Sequence, residues 1–429
     1  MSGKVKLSPI HALGVLRNAP FRRYVIGSLI SDTGSWMQVM AQGWVMATLT
    51  NKAIWLGMAN LAAGLPMLLL TLVGGAAADR FDKRKILLIT QFVQIAIACG
   101  IGFLVLKGQI EIWEILAFAV LLGISNSFEM PTQSALVPEL VGRSQIQNGI
   151  SIDRSVFHGS RVLGPTIGGY LINWLGKASA FFANALSFVA LIIAIWSLPP
   201  RPKGTAEEEE KRTSGIKDGF RFVFNDAPSL AMVMLIATQS FCIFPIITVM
   251  MPLYVRLVLH RGADSLGSLM GVSAIGSFVG SLFLMGLSRD KRIPLMMVNA
   301  VAVSLIVFGL SFGPSFYVAM ALLIVNSLGL AMNFALCSTI VQERAPDYLR
   351  GRVSAVFMLA FVGSMPLAGL GVTSLSDFLG MPKALEIAAV LYGAITLFVL
   401  ARVRKQCAGP GVCETNIGTP AAPSAAATV

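Results

Sequence analysis

The segment ILLITQFVQIAIACGIGFLVL, residues 86–106, carries no charged side chain. A bilayer core about 30 Å thick is crossed by about 20 apolar residues in a helix, so one such run already points to lipid. Runs of this kind recur near 24–48, 53–78, 86–106, 112–135, 147–174, 177–198, 229–258, 265–288, 293–312, 315–339, 353–376 and 382–401, which predicts twelve crossings. Only 13% of the residues are charged, against about 25% in a soluble domain, and 55% are hydrophobic. Each run is continuously apolar, without the two-residue alternation of barrel strands, so the expected fold class is an all-α membrane protein. The runs at 147–174 and 353–376 are the most polar, with Gly and Pro in both and charge in the first. Met1 to Arg23 is basic and lacks an apolar core, so no cleavable leader is expected.

The net charge of +12 reads as a topology signal. With both termini cytoplasmic, most of the 33 Lys and Arg residues fall on inner loops and tails. The outer loops then hold only Lys52, Lys107, Lys177, Arg261 and Lys383, while Arg154, Arg161 and Arg256 fall at membrane depth. Such inner cations bind anionic lipid headgroups, and no nucleic-acid partner is expected. Cys99, Cys242 and Cys337 fall within crossings as small packing residues, and Cys407 and Cys413 fall in a Gly/Pro/Ala-rich tail read as disordered. None has metal-ligand spacing, and neither a metal nor a cofactor is expected.

The polar stretch 199–228 divides the crossings six and six. The expected domains are a bundle over 1–198, a cytoplasmic linker over 199–228, a second bundle over 229–404 and a tail over 405–429. Within the linker, Ile216, Phe220 and Phe224 share one helical face, which predicts a short amphipathic helix on the membrane surface. The halves echo one another at about 200 residues. Asp82-Lys83-Arg84 recurs as Asp290-Lys291-Arg292, Ser134 and Glu139 as Ser338 and Glu343, and Pro165 and Gly168 as Pro366 and Gly369. Two repeated six-span bundles joined by an inner linker are the plan of an alternating-access transporter.

The dense charge of DRFDKRK, residues 79–85, lies between two uncharged runs. With the preceding GGAAA it resembles the loop signature of the major facilitator superfamily, matched at Gly75, Asp79, Arg80, Lys83 and Arg84 and departing at Asp82, where a glycine is usual. The opening LRNAPFRRYVIGSLISDTGSWMQVMAQGWVMATLT is similar to the exporter group that includes enterobactin and macrolide efflux proteins. The resemblance extends to about Arg404 and implies the major facilitator fold, with twelve helices in two pseudo-symmetric bundles. It also implies that the charged loop is a cytoplasmic gate, latched when the transporter opens outward. GSRVLGPTIGG in the fifth crossing resembles the superfamily's exporter signature at Gly164, Pro165, Gly168 and Gly169, with Ser160 where a glycine is usual. Small residues four apart permit close helix approach and the proline bends the helix, so these residues are expected to form a hinge.

Polar groups at membrane depth are costly and mark function. Ser28, Asp32, Ser35 and Gln42 share a face of the first crossing, and Asn126, Glu129 and Gln133 one of the fourth. Arg154, His158 and Arg161 share a face of the fifth, with Asp153 beside them. Asp32, Glu129, His158 and Arg161 are therefore the candidate proton-coupling residues, although Arg161 bridging Asp32 or Glu129 as a structural pair explains the pattern too. Ser35, Trp36, Gln42, Asn126, Gln133, Gln239, Asn326 and Asn333 are the candidate substrate-cavity residues. Thr238, Ser240 and Thr248, and the large side chains Trp44, Phe241, Phe244 and Met332, fit such a cavity or equally a packed core.

The expected activity is proton-coupled export of a small amphipathic molecule, siderophore or drug-like, by a monomer in a bacterial inner membrane. A lipid or lysophospholipid flippase of the same fold is the alternative. No HExxH, no Gly-x-x-x-x-Gly-Lys-Ser/Thr phosphate loop and no Gly-x-Ser-x-Gly elbow occurs, so an enzyme is not expected.

Overall fold

Prolines decide which apolar runs remain single helices. The structure, a computed structural model, describes residues 14–142, 145–198, 217–282, 288–346 and 348–406. After a 3-10 turn at Gly14–Arg17 come α1 (Ala19–Leu49), α2 (Ile54–Arg80), α3 (Lys83–Leu106), α4 (Ile112–Val141), α5 (Ile146–Leu175) and α6 (Ser179–Trp196). Then follow α7 (Lys217–Asn225), α8 (Ala227–Cys242), α9 (Phe244–Thr248), a turn and a π-helical turn over 251–258, α10 (Ala263–Leu282) and α11 (Arg289–Ser311). The last four are α12 (Phe316–Arg344), α13 (Arg350–Val362), α14 (Met365–Leu379) and α15 (Met381–Gln406). No strand occurs among the described residues.

Among the described residues each expected crossing falls on a helix or a helix pair, and nine of these are long and apolar enough to cross a membrane. The three that fall short of that criterion are α1, α5 and α10. The first two span 31 and 30 residues, and they hold Asp32, Asp153, Arg154 and Arg161. Two runs expected to be continuous are broken. The seventh, expected over 229–258, stops at Ile243 because Pro245 has no N–H to return to the preceding turn. The eleventh, expected over 353–376, parts at Gly363 and Ser364 ahead of Pro366. Pro165 leaves α5 unbroken.

Contacts divide the chain into one unit of Met1–Pro202 with Met251–Ala274 and a second of Lys203–Met250 with Ile275–Val429. In the first, α2 and α4 approach so closely that a Cβ on Gly74 would meet the Ser127 carbonyl. One end of this unit is an apolar cluster of Val15, Phe21 and Tyr24 with Leu87, Leu136, Leu191 and Ile195. In the second, α8, α11, α12, α13 and α15 enclose Leu235, Met296, Leu336, Val353 and Leu400. Helix α7 buries Gly219 and Val223 on its inward side, ties Asp218 to Arg352 at 2.5 Å and leaves Phe224 exposed. Of the face expected on the membrane surface, Phe220 is partly buried against the core of this unit, Phe224 is exposed, and Ile216 lies outside the described residues. The rest of the expected linker up to residue 216, and the expected tail beyond residue 406 with Cys407 and Cys413, also lie outside them.

The repeat is visible at the first helix of each half. Asn18-Ala19-Pro20 starts α1 and Asp226-Ala227-Pro228 starts α8, with Asn18 accepting from the Phe21 N–H and Asp226 from the Ser229 N–H. Asn18 also donates to the Leu140 carbonyl at 2.7 Å, whereas Asp226 accepts from Arg344 Nε at 2.7 Å. Lys83 pairs with Glu139 at 3.1 Å, and Arg292 pairs with Glu343 at 2.9 Å. Burial opposes the charge on Asp226, but hydrogen bonds from Arg344 and Ser229 outweigh it and hold the carboxyl below its ordinary range.

Candidate functional site

The first helix of the chain presents a polar seam to its own unit. Ser31 donates to Gln91 of α3 at 3.4 Å, Gln38 accepts from Asn184 of α6 at 2.7 Å, and Gln42 donates to the Ile115 carbonyl of α4 at 3.4 Å. Ser35 returns its hydroxyl to the Ser31 carbonyl of its own helix. Asp32, half-buried at the edge of this seam, has no hydrogen bond or ion pair among the described residues.

Glu129 of α4 is 8% exposed and accepts from Gln91 at 2.7 Å and Gln133 at 2.9 Å, with Gln94 closer still. Gln94 also reaches Ser125 at 3.2 Å and Asn126 at 3.3 Å. The Glu129 carboxyl is thereby held by three neutral amides and, among the described residues, by no cation. Gln91 and Gln94 are absent from the sequence-based candidates because they lie in the apolar run 86–106. Their i and i+3 spacing on one helical face is the signal that finds them.

Arg161 does not bridge either carboxylate. Its guanidinium lies over the Trp36 ring, 5.4 Å from the centroid, and Trp36 meets Phe157 edge-on at 5.7 Å. His158 is exposed on α5, its ring edge-on to Phe157. The structure therefore joins Asn126, Glu129 and Gln133, sets Trp36 with Arg161, and among the described residues gives Asp32 and His158 no bonded partner.

The α5 glycines serve two faces. A Cβ on Gly164 would come within 2.5 Å of the Thr33 carbonyl, and one on Gly168 within 2.6 Å of Met37, so both hold α5 against α1. On the other side a Cβ on Gly169 would come within 2.5 Å of the Ala263 carbonyl, and one on Gly267 would meet the Pro165 carbonyl. Ser160 is fully buried and donates to the Leu29 carbonyl at 3.3 Å, a bond a glycine lacks. In the charged loop, Asp79 and Arg80 are exposed, Asp82 caps α3 through the Arg84 N–H at 2.9 Å, and Arg84 donates to the Trp196 carbonyl at 3.3 Å. Gly75 has open space where a Cβ would stand, so the tight packing of this stretch belongs to its neighbour Gly74.

In the second unit the polar candidates turn inward. Gln239 donates to the Leu330 carbonyl at 3.0 Å and Asn333 to the Tyr392 hydroxyl at 2.8 Å. Asn326 is fully buried with neither amide atom partnered, and Asn333 Oδ1 is unpartnered too. A small cavity lined by Leu235, Gln239, Met296, Asn333, Cys337, Tyr392 and Thr396 lies between these helices. Tyr392 is missing from the sequence-based candidates, since one hydroxyl in an apolar run gives no periodic signal. Among the described residues no group of three His, Cys, Asp or Glu side chains is placed to hold a metal.

Residues 10–411 match the profile of a family described as transmembrane secretion effector. The multidrug efflux pump Tap of Mycolicibacterium fortuitum is 25% identical over 403 residues, covering 91% of this chain and 97% of that protein. The staphyloferrin A transporter of Staphylococcus aureus is 26% identical over 382 residues, covering 86% and 93%. The crystal structure of nucleoside transporter NupG superposes with a TM-score of 0.70 at 14% identity, covering 90% of this chain and 99% of that one, which shows the fold.

Proposed function

Because this chain belongs to the transmembrane secretion effector family of major facilitator transporters, as the residue-level resemblance implied, we propose that it is a proton-coupled exporter of a small amphipathic molecule. It is a multi-pass membrane transporter, and the relatives named above are transporters of drugs or a siderophore rather than enzymes. Alternating access, a monomeric state, inner-membrane lipids around the spans and cytoplasmic termini complete the reading. Among the described residues no observation favours the flippase alternative.

The observation that carries the proposal is the Glu129 site. A carboxylate at membrane depth, 8% exposed and held by Gln91, Gln94 and Gln133 with no cation on it, is expensive for a scaffold to keep. It is suited to binding and releasing a proton, because protonation turns one acceptor into a donor and forces a neighbouring amide to rearrange. Asp32, one helix away and unpaired, is the second proton acceptor, and the Arg161 and Trp36 pair supplies a planar cationic and aromatic surface for substrate. Gly164 and Gly168 let α5 slide on α1 as the charge changes. The charged loop from Asp79 to Arg84, with Gly75, serves as the cytoplasmic gate of the resemblance.

Purified protein in vesicles, offered staphyloferrin A and a panel of amphipathic drugs, tests this. An imposed proton gradient is expected to drive transport, and Asp32→Asn to uncouple it. Transport indifferent to the gradient, with Asp32→Asn behaving as wild type, overturns the reading.

A further inference from the structure

The polar seam of α1 is satisfied everywhere except at its inner end. Tyr24, Ser28, Ser31, Ser35, Gln38 and Gln42 recur at spacings of 3 and 4, so they lie along one side of the helix. The last four all bond to protein atoms. Tyr24 and Ser28 reach no partner beyond each other among the described residues, although they are only 1% and 2% exposed and each hydroxyl oxygen is buried. The two side chains are neighbours, and Tyr24 feels the charges of Asp153, Asp32 and Glu129. Tyr24 is packed among Leu87, Leu136 and Ile195, a setting in which phenylalanine would bury more cheaply. A buried pair of hydroxyls with no partner outside the pair, one turn below an unpaired carboxylate, is not explained by packing.

We propose that Tyr24 and Ser28 are relay residues that pass protons along α1 between the inner face and Asp32, with ordered water completing the chain. This rests on the proton-coupling reading above and adds the route. Each hydroxyl accepts a proton on its oxygen from the water below as it gives its own to the water or carboxylate above, so no bond order changes and no net charge remains on the relay. Ser31 and Gln91 extend the same seam toward Glu129 at 3.4 Å and 2.7 Å. The charged and titratable groups around the route are Glu129 on α4 and Asp153, Arg154, His158 and Arg161 on α5. Counted from the aligned Asn18-Ala19-Pro20 and Asp226-Ala227-Pro228 starts, the second half has Met232 and Ile236 where the first has Tyr24 and Ser28, and no carboxylate follows within α8.

A proton-jump experiment on full-length protein in lipid nanodiscs, read by time-resolved infrared spectroscopy of carboxyl C=O bands, tests the route without a transported substrate. Asp32→Asn and Glu129→Gln assign the bands. Tyr24→Phe combined with Ser28→Ala is expected to slow the Asp32 band at least tenfold at unchanged amplitude and unchanged Tm, and Ser28→Thr in the Tyr24 background to keep the wild-type rate. Should Tyr24→Phe fail to fold, Ser28→Ala alone must show the slowing. An unchanged rate overturns the relay while leaving the coupling reading intact. If no band is lost in either carboxylate variant, the coupling reading falls and the relay with it.

Discussion

The two repeats of this chain place their charge in opposite positions. In the N-terminal repeat the membrane interior holds Asp32, Glu129 and Arg161, while the pin at the rim is neutral, an Asn18 amide on the Leu140 carbonyl. In the C-terminal repeat the interior is neutral, with Gln239, Asn326, Asn333 and Tyr392, and the pin at the rim is the buried Asp226 and Arg344 ion pair. One scaffold has been specialised twice. On the proposed function, the half whose interior gains and loses a proton carries no fixed ion pair on the cap of its first helix, and the half that keeps one lines its described interior with the neutral Gln239, Asn326 and Asn333.

The strongest way to break this comparison is at the C-terminal rim. Arg344 and Asp226 side chains are only 7% and 10% exposed, so Arg344→Ala leaves a buried, unpaired carboxylate and is expected to cost about 3–5 kcal/mol. Thermal unfolding in detergent measures it. If the variant loses no more than the equivalent neutral pin does, the ionic rim is decorative. A second test addresses the N-terminal interior. Glu129→Gln keeps the shape but turns an acceptor into a donor facing Gln91, Gln94 and Gln133. Gradient-driven transport is expected to fall at least tenfold, about 1.4 kcal/mol, with less effect from Asn333→Asp in the neutral half.

Much of the fold was legible in the sequence because lipid imposes a length and a polarity that a run such as 86–106 cannot satisfy otherwise. The same reasoning loses its grip on α1 and α5, whose polar residues lower the signal at the very helices that hold the site. It also overlooked the break at Ile243, since an interior proline kinks, interrupts or is tolerated according to its neighbours, as Pro165 in α5 shows. Asn126, Glu129 and Gln133 were legible by spacing, and Gln91 and Gln94 share a face of their own helix, but that the two faces meet is set by packing between helices, on which no within-helix period reports. The Arg161 and Trp36 contact was hidden for the same reason: electrostatics alone points Arg161 at a carboxylate, and only packing turns it to a ring. The loop glycine matched by family resemblance, Gly75, has open space, whereas Gly74 bears the helix contact.

The pH dependence of stability separates the rims further. Asp226 is held below its ordinary pKa by Arg344, so its contribution is fully present above about pH 4, the unfolded value, and is lost as the pH falls through the lowered folded value. Acid titration of the Tm is expected to show a fall in that window that Asp226→Asn removes. The N-terminal pin has no titrating group in it, and Asn18→Ala is expected to leave the acid limb unchanged.

The smallest effect is the most discriminating about the repeat itself. Asn18→Ala removes an N-cap and a bond to Leu140, for which about 1 kcal/mol is the usual cost. If Asn18 and Asp226, and Leu140 and Arg344, are equivalent positions, then Asn18→Asp combined with Leu140→Arg transplants the ionic pin into the N-terminal half. Leu140 is only half-buried, so the new guanidinium has room and partial solvation. The double variant is expected to recover the stability that Asn18→Asp alone loses and to acquire the acid sensitivity of the other rim. A double variant no more stable than Asn18→Asp would mean that the two ends match in sequence but not in geometry, and the exchange of charge between rim and interior would have arisen separately in each half.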